Sequence, residues 1–339
     1  MAPLSVVTGV SPGGIGLEVA AGLRAAGHHV ILACRNQAKC ATAAAELDAR
    51  GLPGSCECRH LDLSDYASVR AFAEGLQQSR SAAGGGQAQR RQAVKPGRAA
   101  EAAQPEQPLA ILVNNAGVMG VPPNADGSCG HFGPNHLGPY LLTRLLLPMM
   151  AAGSRVVTVA SESHRRGSLR IGGATGSSTS GSTSGSSAAG SPSHKLHLAG
   201  PPPANWYAAY ARSKLANVLM TAELAQQLER RGCGVTAYSV SPGRVATNIL
   251  VNVPGLLQAP LRWLASLAFQ TPAQGARTVL HAALSPSLAG RSELYLHAQR
   301  PCKAARAAQD EQLAAQLWQL SNQEVGLSAA NDAALWPPH

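Results

Sequence analysis

The sequence has no apolar run long enough to cross a bilayer as a helix, which takes about 20 residues. The best candidate, residues 140–152, is short and is interrupted by Arg144 and Pro148. No targeting segment of the usual kind precedes the first apolar run, which begins within the first few residues. We expect a soluble protein, cytoplasmic by default, and the sequence leaves peripheral contact with a membrane or organelle surface and homo-oligomer formation open.

Cysteine pairs with the spacing of a disulfide scaffold or a zinc site are also missing. The chain has seven cysteines but no Cys-x-x-Cys pair, and Cys56 and Cys58 form only a Cys-x-Cys on a strand-like stretch. The eleven histidines are scattered along the chain. We predict that both residue types are structural or solvent-facing, that the protein holds no metal, and that it works in a reducing compartment.

The basic residues lack the accompanying features that are typical of nucleic-acid-binding proteins. Of the net charge of +10, seven charges come from residues 79–107 and 163–204, which show no apolar periodicity. Between Ile171 and Ser193, fifteen of 23 residues are Gly or Ser, a composition typical of flexible coil. Nucleic-acid-binding proteins usually combine basic residues with aromatic side chains or a docking helix. We therefore predict no nucleic-acid partner and two low-complexity insertions, at about residues 79–107 and 165–204.

Short apolar runs alternate with helix-like stretches along the rest of the chain, a pattern typical of a parallel sheet covered on both faces. The pattern predicts an α/β fold with a doubly wound parallel sheet, formed as a single domain by residues 1–299, and a C-terminal helical tail at 300–339. Ser64 is expected to cap the third helix, Asp65–Gln77. The predicted strands are Leu4–Val7, His29–Ala33, Ser55–Leu61, Leu109–Val113, Arg155–Val159 and Val235–Val240.

A glycine-rich loop, "TGVSPGGIG", lies between the first strand and the first helix. Glycine lets the backbone approach a phosphate closely, and a helix N-terminus offers free N–H groups to it. Gly9, Gly14 and Gly16 fit a phosphate-binding spacing if the loop carries one extra residue. The Pro12–Gly13 pair forms a turn readily and can absorb that residue without moving the start of the helix.

Polar residues follow several of the predicted strands, where ligands bind in doubly wound sheets. They are found in "LVNNAG", in "VTVAS" and in "SPGRVAT". The segment "YARSK" places Tyr210 and Lys214 four residues apart, and therefore on one face of a helix. All of these side chains are predicted to lie along one edge of one sheet.

Five segments together make the chain resemble the short-chain dehydrogenases/reductases, and more narrowly their retinol-dehydrogenase-like branch. They are "LAILVNNAGVM", "HFGPNHLGPYLLTRLLLP", "RVVTVASESHRRG", "YARSKLANVLMTAEL" and "AYSVSPGRVAT". The resemblance covers nearly everything except the two insertions, and it implies a Rossmann fold and an NADP(H) cofactor. It also settles the glycine-rich segment as a cofactor loop.

The resemblance implies a catalytic tetrad of Asn135, Ser161, Tyr210 and Lys214. A nearby ammonium and the positive nicotinamide ring both favour the phenolate, so we expect the pKa of Tyr210 to be lowered from its usual value near ~10. Ser161 would hydrogen-bond the substrate oxygen. Asn135 would anchor a water relay behind Lys214, or it would simply bond to the backbone.

The resemblance also implies a set of cofactor-binding positions. No acid occurs between residues 28 and 45 to hold a ribose hydroxyl, whereas Arg35 offers a guanidinium suited to a phosphate. We therefore predict NADP(H), with Ser11 as a second phosphate ligand and Asp62 on the adenine amine. The full set is Gly9, Ser11, Gly14, Ile15, Gly16, Arg35, Asp62, Leu63, Asn114, Ala116, Gly117, Pro242, Gly243 and Thr247.

The predicted activity is the interconversion of a carbonyl and an alcohol by hydride transfer, with the tyrosine as general acid/base. Apolar residues between 249 and 269, a region that serves as the substrate lid in this family, favour a small apolar substrate such as a retinoid, a steroid or a lipid aldehyde. They would equally well pack the lid against the domain. A non-catalytic NADP-binding sensor or membrane-complex subunit and a carbon–carbon double-bond reductase remain alternatives.

Overall fold

The computed structural model describes residues 2–91, 108–121, 130–171, 203–243, 270–292, 294–328 and 332–338. In these residues one sheet has the strand order β3-β2-β1-β4-β5-β6-β7-β8. Strands β1 to β7 are parallel, and β8 pairs antiparallel with β7. The strands are Leu4–Thr8 (β1), His29–Cys34 (β2), Ser55–His60 (β3), Leu109–Asn114 (β4), Arg155–Val159 (β5), Thr236–Ser241 (β6), Leu294–His297 (β7) and Arg300–Pro301 (β8).

Helices cover both faces of the sheet, which confirms the predicted doubly wound fold. Alternate strand residues enter opposite cores: Leu112 packs on one face and Val113 on the other, because side chains alternate along a strand. In the described residues no helix is long and apolar enough to cross a membrane. The helices are Ile15–Ala25 (α1), Gln37–Ala49 (α2), Tyr66–Arg91 (α3), Gly138–Leu146 (α4), Trp206–Arg230 (α5), Pro272–Leu284 (α6) and Glu311–Glu324 (α7).

The first predicted insertion is shorter than the sequence suggested. Helix α3 continues past Gln77 to Arg91, although the segment contains three consecutive glycines, which are poor helix formers. The second predicted insertion begins with described backbone as far as Ile171. The remaining parts of both insertions, residues 92–107 and 172–202, lie outside the described residues.

The capping role assigned to Ser64 is wrong. Helix α3 begins at Tyr66, so Asp65 precedes it directly and accepts a hydrogen bond from the Ala67 amide (2.9 Å). The Ser64 hydroxyl instead donates to Oδ1 of Asp62 (2.6 Å). Asp and Ser are comparable N-cap residues, so the position at which the helix begins decides which of the two caps it.

One cysteine pair corrects the expectation that the cysteines form no disulfide. Cys40 on α2 and Cys58 on β3 are joined, with 6.0 Å between their Cα atoms. Their separation of 18 residues matches no short motif, and only the packing of α2 against the sheet brings the two sulfurs together. The disulfide fastens a helix to an edge strand.

The predicted C-terminal helical tail packs against the main core. The guanidinium of Arg144, on α4, is fully buried and binds Oδ1 of Asp332 at 2.5 Å. It also lies 5.0 Å from the ring centroid of Trp318 and 4.8 Å from that of Trp336. Cation–π contacts and an ion pair therefore hold α7 and residues 332–338 against α4.

Candidate active site

The glycine loop leaves the N-terminus of α1 open to a ligand. Gly9 has a φ of +71°, and a Cβ there would lie 2.6 Å from the Cα of Ala116. A turn closed by a bond from the Gly14 amide to the Ser11 carbonyl (3.0 Å) contains Pro12 and Gly13. Helix α1 still begins at Ile15, and no side chain caps it. The extra residue is thus absorbed in the turn, as the sequence predicts.

Asn115, which the sequence analysis did not single out, joins this loop to the end of β4. Its amide donates to the carbonyl oxygens of Thr8 (2.8 Å) and Gly9 (3.3 Å). In return, the Thr8 hydroxyl accepts hydrogen bonds from the amides of Asn115 (3.0 Å) and Ala116 (2.9 Å). The only sequence signal was the second Asn of "NNAG". These four bonds hold the glycine loop and the end of β4 together. The two segments border a groove along the carboxyl ends of the strands.

Asn114 faces the core. Its side-chain amide donates to the Thr143 hydroxyl at 2.8 Å, and the residue is 3% exposed. Its Oδ1 is buried without a hydrogen-bond partner. Gly117, three residues later, does line the site: a Cβ there would lie 3.4 Å from Nζ of Lys214. The structure therefore places these two predicted cofactor residues in different environments.

Three members of the predicted tetrad come together at the carboxyl end of β5. Ser161 follows the strand, and its side chain lies close enough to the Tyr210 hydroxyl, on α5, to oppose the burial-induced rise in the pKa of that group. Lys214, one turn further along α5, has its Nζ 5.7 Å from the Tyr210 ring centroid. That Nζ donates to the carbonyl of Val159, the last residue of β5, at 2.8 Å. The helix spacing and the strand end together produce this juxtaposition.

The side chain of Asn135 bonds mainly to backbone. It lies in a π-helical turn, Gly133–Leu137. Its Oδ1 accepts from the Val118 amide (2.7 Å), and its Nδ2 donates to the Val118 carbonyl (2.9 Å) and to the Ser213 hydroxyl (3.0 Å). The side chain of Asn135 therefore follows the second of the two expectations, in which it bonds to the backbone. The π-turn itself was not expected from the sequence, and such turns are frequent at functional sites.

Burial dominates the acid–base properties of the pair on α5. It raises the pKa of Tyr210 above the ordinary value of 10, and the neighbouring Ser161 side chain opposes this rise only in part. Burial also lowers the pKa of Lys214 to about 8. The expectation that the pKa of Tyr210 is lowered, which included the bound nicotinamide, does not hold for the protein by itself, because desolvation of the phenolate outweighs the effect of Ser161.

Replacing Lys214 by Met should remove one pH dependence of stability. Because the pKa of Lys214 is about 8 in the folded protein and 10.5 ordinarily, the unfolded chain binds more protons between these values. The free energy of unfolding of the wild type should therefore rise over that window, relative to Lys214→Met, by about 3 kcal/mol. Urea unfolding of both proteins across that range measures the difference. Lys39→Met, which changes an exposed lysine, serves as the control, and parallel curves for wild type and Lys214→Met would contradict the prediction.

Arg35 and Asp62 face each other beyond the ends of β2 and β3. Nη1 of Arg35 lies 3.9 Å from Oδ2 of Asp62, and the arginine side chain is 68% exposed. Oδ1 of Asp62 is engaged by the amide and hydroxyl of Ser64. Leu63 points its side chain into the core. One exposed cation and one partly satisfied carboxylate thus border this end of the groove.

At the opposite end, the chain turns after β6. Gly243 has a φ of +83°, and its amide donates to the Ser241 hydroxyl at 3.3 Å. A cavity of about 200 Å³ opens beside Pro242 and Gly243, with Arg277 and His297 in its lining. Thr247 and the apolar lid segment, residues 249–269, lie outside the described residues.

Two buried histidines support the tetrad and were missed from the sequence. His131 packs edge-on against the Tyr210 ring, with 6.3 Å between centroids. His164 bonds through Nδ1 to the Ser161 carbonyl (2.7 Å) and accepts at Nε2 from the Ala305 amide (3.0 Å). Burial lowers the pKa of both histidines, so both stay neutral near pH 7. "HF" and "SH" gave no signal of these roles, because the contacts join distant segments.

The groove as a whole fits a dinucleotide. A Cβ at Gly9 would fill the space beside Ala116, and the uncapped N-terminus of α1 presents N–H groups suited to a pyrophosphate. Within the described ranges, no group of three or more His, Cys, Asp or Glu side chains could hold a metal ion.

Comparisons with known proteins agree with this geometry. The short chain dehydrogenase family model matches residues 4–82. Retinol dehydrogenase 11 of Homo sapiens is 36% identical over 95% of this chain and 85% of its own length. Dehydrogenase/reductase SDR family member 13 of Bos taurus is 34% identical over 97% of this chain and 74% of its own length.

Solved structures share the fold. An uncharacterized protein from Mycobacterium Paratuberculosis is 28% identical, with a TM-score of 0.61, over 96% of this chain and 93% of its own. A variant of the actinorhodin polyketide ketoreductase with NADPH is 19% identical, with a TM-score of 0.56, over 87% and 95%. From the Rossmann-like sheet, the groove and these relatives together, the chain belongs to the short-chain dehydrogenases/reductases, in the retinol-dehydrogenase-like branch, whose members are NAD(P)-dependent oxidoreductases acting on alcohol and carbonyl groups.

Proposed function

We propose that this protein interconverts a carbonyl and an alcohol on a small apolar substrate, with NADP(H) as cofactor and Tyr210 as general acid/base. The observation that carries the proposal is the cluster of Tyr210, Ser161 and Lys214. Two hydroxyls lie beside each other at a strand end, and an amine is buried one helical turn away. Such a cluster can hold a substrate oxygen and move a proton to or from it.

The chain's own residues handle the oxygen and the proton. In reduction, Tyr210 donates its hydroxyl proton to the substrate oxygen while Ser161 hydrogen-bonds the same atom, where negative charge develops. In oxidation, the phenolate of Tyr210 takes the proton back. Lys214, protonated below its pKa of about 8, stabilises that phenolate. When bound, the nicotinamide supplies or accepts the hydride.

The cofactor would lie along the edge of the sheet that the carboxyl ends of the strands form. The amides at the N-terminus of α1 would bind the pyrophosphate. Arg35 would bind the 2′-phosphate of NADP(H), and Asp62 the adenine amine. Lys214 would also hold the nicotinamide ribose, and Pro242–Gly243 would face the carboxamide. In this proposal Asn135 anchors the water relay behind Lys214.

The apolar substrate class is supported by the names of the relatives and by one described side chain. Several relatives are named as retinol dehydrogenases. Trp206 is 47% exposed and lies at the start of α5, one turn before Tyr210. An exposed tryptophan one helical turn from Tyr210 offers an apolar surface to such a substrate.

The proposal is tested by assaying the purified protein with NADPH against a panel of apolar aldehydes and ketones, including retinal and steroid ketones. We expect NADPH-dependent formation of the corresponding alcohols. NADPH binding without turnover of any panel member would instead favour the non-catalytic sensor. Saturation of a conjugated carbon–carbon bond, with the carbonyl retained, would favour the double-bond reductase.

A further inference from the structure

Glu162, the residue directly after Ser161, lies at the centre of a polar network on the far side of the active-site serine. Its Oε1 accepts a hydrogen bond from the Tyr295 hydroxyl. Its Oε2 accepts from Nε of Arg165 at 2.8 Å, and Nδ1 of His297 lies 3.7 Å from Oε1. The proposed tetrad does not include this carboxylate.

Tyr295 carries the network to the neighbouring strand end. It lies on β7 opposite Ser239 of β6, so Ser241, two residues further along, is on the same face of the sheet. The Ser241 side chain lies beside the Tyr295 hydroxyl and opposes the burial-induced rise in the pKa of that phenol, and the backbones of β6 and β7 pair as far as Ser241 and His297. The Ser241 hydroxyl in turn accepts the amide of Gly243 at 3.3 Å.

Two hydrogen bonds and a strand pairing connect the two loops. The Tyr295 hydroxyl donates to the carboxylate of Glu162, β7 pairs with β6 as far as His297 and Ser241, and the Gly243 amide donates to the Ser241 hydroxyl. The Glu162 carboxylate orients the Tyr295 hydroxyl, because it can only accept when ionised. Charge-assisted bonds of this kind are stronger than neutral ones.

We propose that Glu162 and Tyr295 are positioning residues that set the distance between Ser161 and the Pro242–Gly243 turn. The inference rests on the proposed function, in which Ser161 holds the substrate oxygen and that turn faces the nicotinamide. Hydride transfer requires the two reacting carbons to be aligned closely, and small misplacements are costly. The network ties the two loops that control this alignment.

Tyr295→Phe is the most direct test, because it removes the hydroxyl that joins the two loops and keeps the ring. We expect kcat to fall about tenfold, while the Kd for NADPH, measured by fluorescence titration, changes less than about twofold. KM for the carbonyl substrate should change little, because the substrate pocket keeps its walls. Glu162→Gln should lower kcat in the same sense, since a neutral amide binds and orients the phenol less strongly.

A double mutant and a matched control separate positioning from general stability. Because Glu162 and Tyr295 act through one bond, the double variant should have about the kcat of Tyr295→Phe, not the product of two losses. Tyr238→Phe removes another buried tyrosine hydroxyl, bonded to the Leu288 carbonyl from β6, and should leave kcat unchanged. If Tyr295→Phe fails to fold, Ser241→Ala is the second test variant: it removes the hydroxyl that accepts the Gly243 amide, and its kcat should fall.

The outcomes distinguish this inference from the proposed function. An active wild type with unchanged kcat in Tyr295→Phe, or independent losses in the double variant, would overturn the positioning role alone. Equal damage by Tyr238→Phe would show that any lost hydroxyl in this sheet has the same effect, and would also overturn it. A wild type that turns over no carbonyl or alcohol would overturn the proposed function and the positioning role with it.

Discussion

Tyr210→Phe should lose nearly all turnover, by a factor of about 10² to 10⁴, while still folding and binding NADPH. The substitution removes only the hydroxyl that lies beside Ser161 and keeps the ring that packs against His131. In the proposed mechanism this hydroxyl carries the proton, so the proton transfer loses its carrier. Steady-state NADPH oxidation with an active panel substrate measures the loss, and fluorescence titration measures NADPH binding.

Tyr207→Phe is the matched control for this experiment. Tyr207 lies one turn earlier on the same helix, and its hydroxyl is 3.4 Å from the hydroxyl of Ser163. Removing it takes away this contact but leaves the Tyr210 hydroxyl beside Ser161. We expect activity close to that of the wild type. Turnover by Tyr210→Phe comparable to that of Tyr207→Phe would show that another group handles the proton.

Arg35→Ala should erase most of a preference for NADPH over NADH. In the wild type we expect NADPH to bind about ten- to a hundred-fold more tightly, the effect of one charge-assisted hydrogen bond to a phosphate. Arg35 is suited to this role because its side chain is 68% exposed and its nearest acidic partner, Asp62, is 3.9 Å away. Little has to be broken before the guanidinium can turn to a ligand. Kd values for both dinucleotides, measured by calorimetry in each protein, give the ratio.

Arg50→Ala controls for the loss of one positive charge at a distance from the adenosine end. Arg50 follows the other end of α2 and is held by Glu18 and Glu46, each at 2.8 Å. Its removal should leave the NADPH-to-NADH ratio unchanged, although it weakens surface ion pairs. Salt also screens long-range charge effects more than a direct contact, so the wild-type preference should persist at moderate ionic strength. Equal affinities of the wild type for the two dinucleotides would refute the role of Arg35.

The sequence by itself was sufficient for the fold and for the pair on α5. Apolar strands alternating with helices dictate a sheet buried on both faces, because fully buried strands leave no polar face. The spacing of Tyr210 and Lys214 places them on one side of a helix in any fold. The Pro12–Gly13 turn was equally predictable, since Gly13 adopts a φ of +67° that few other residues tolerate. Each of these features can be inferred from sequence patterns that each span only a few residues.

Tertiary packing decided the features that join distant segments. The bond between Glu162 and Tyr295 spans 133 residues, and that between Asn115 and Thr8 spans 107. Nothing in the local sequence specifies such partners, because they depend on which strands become neighbours in the sheet. The direction of the pKa shift of Tyr210 was decided in the same way. The nearby lysine could be found from the sequence, but the burial that raises the pKa of Tyr210 exists only once the two cores have packed around the strand ends.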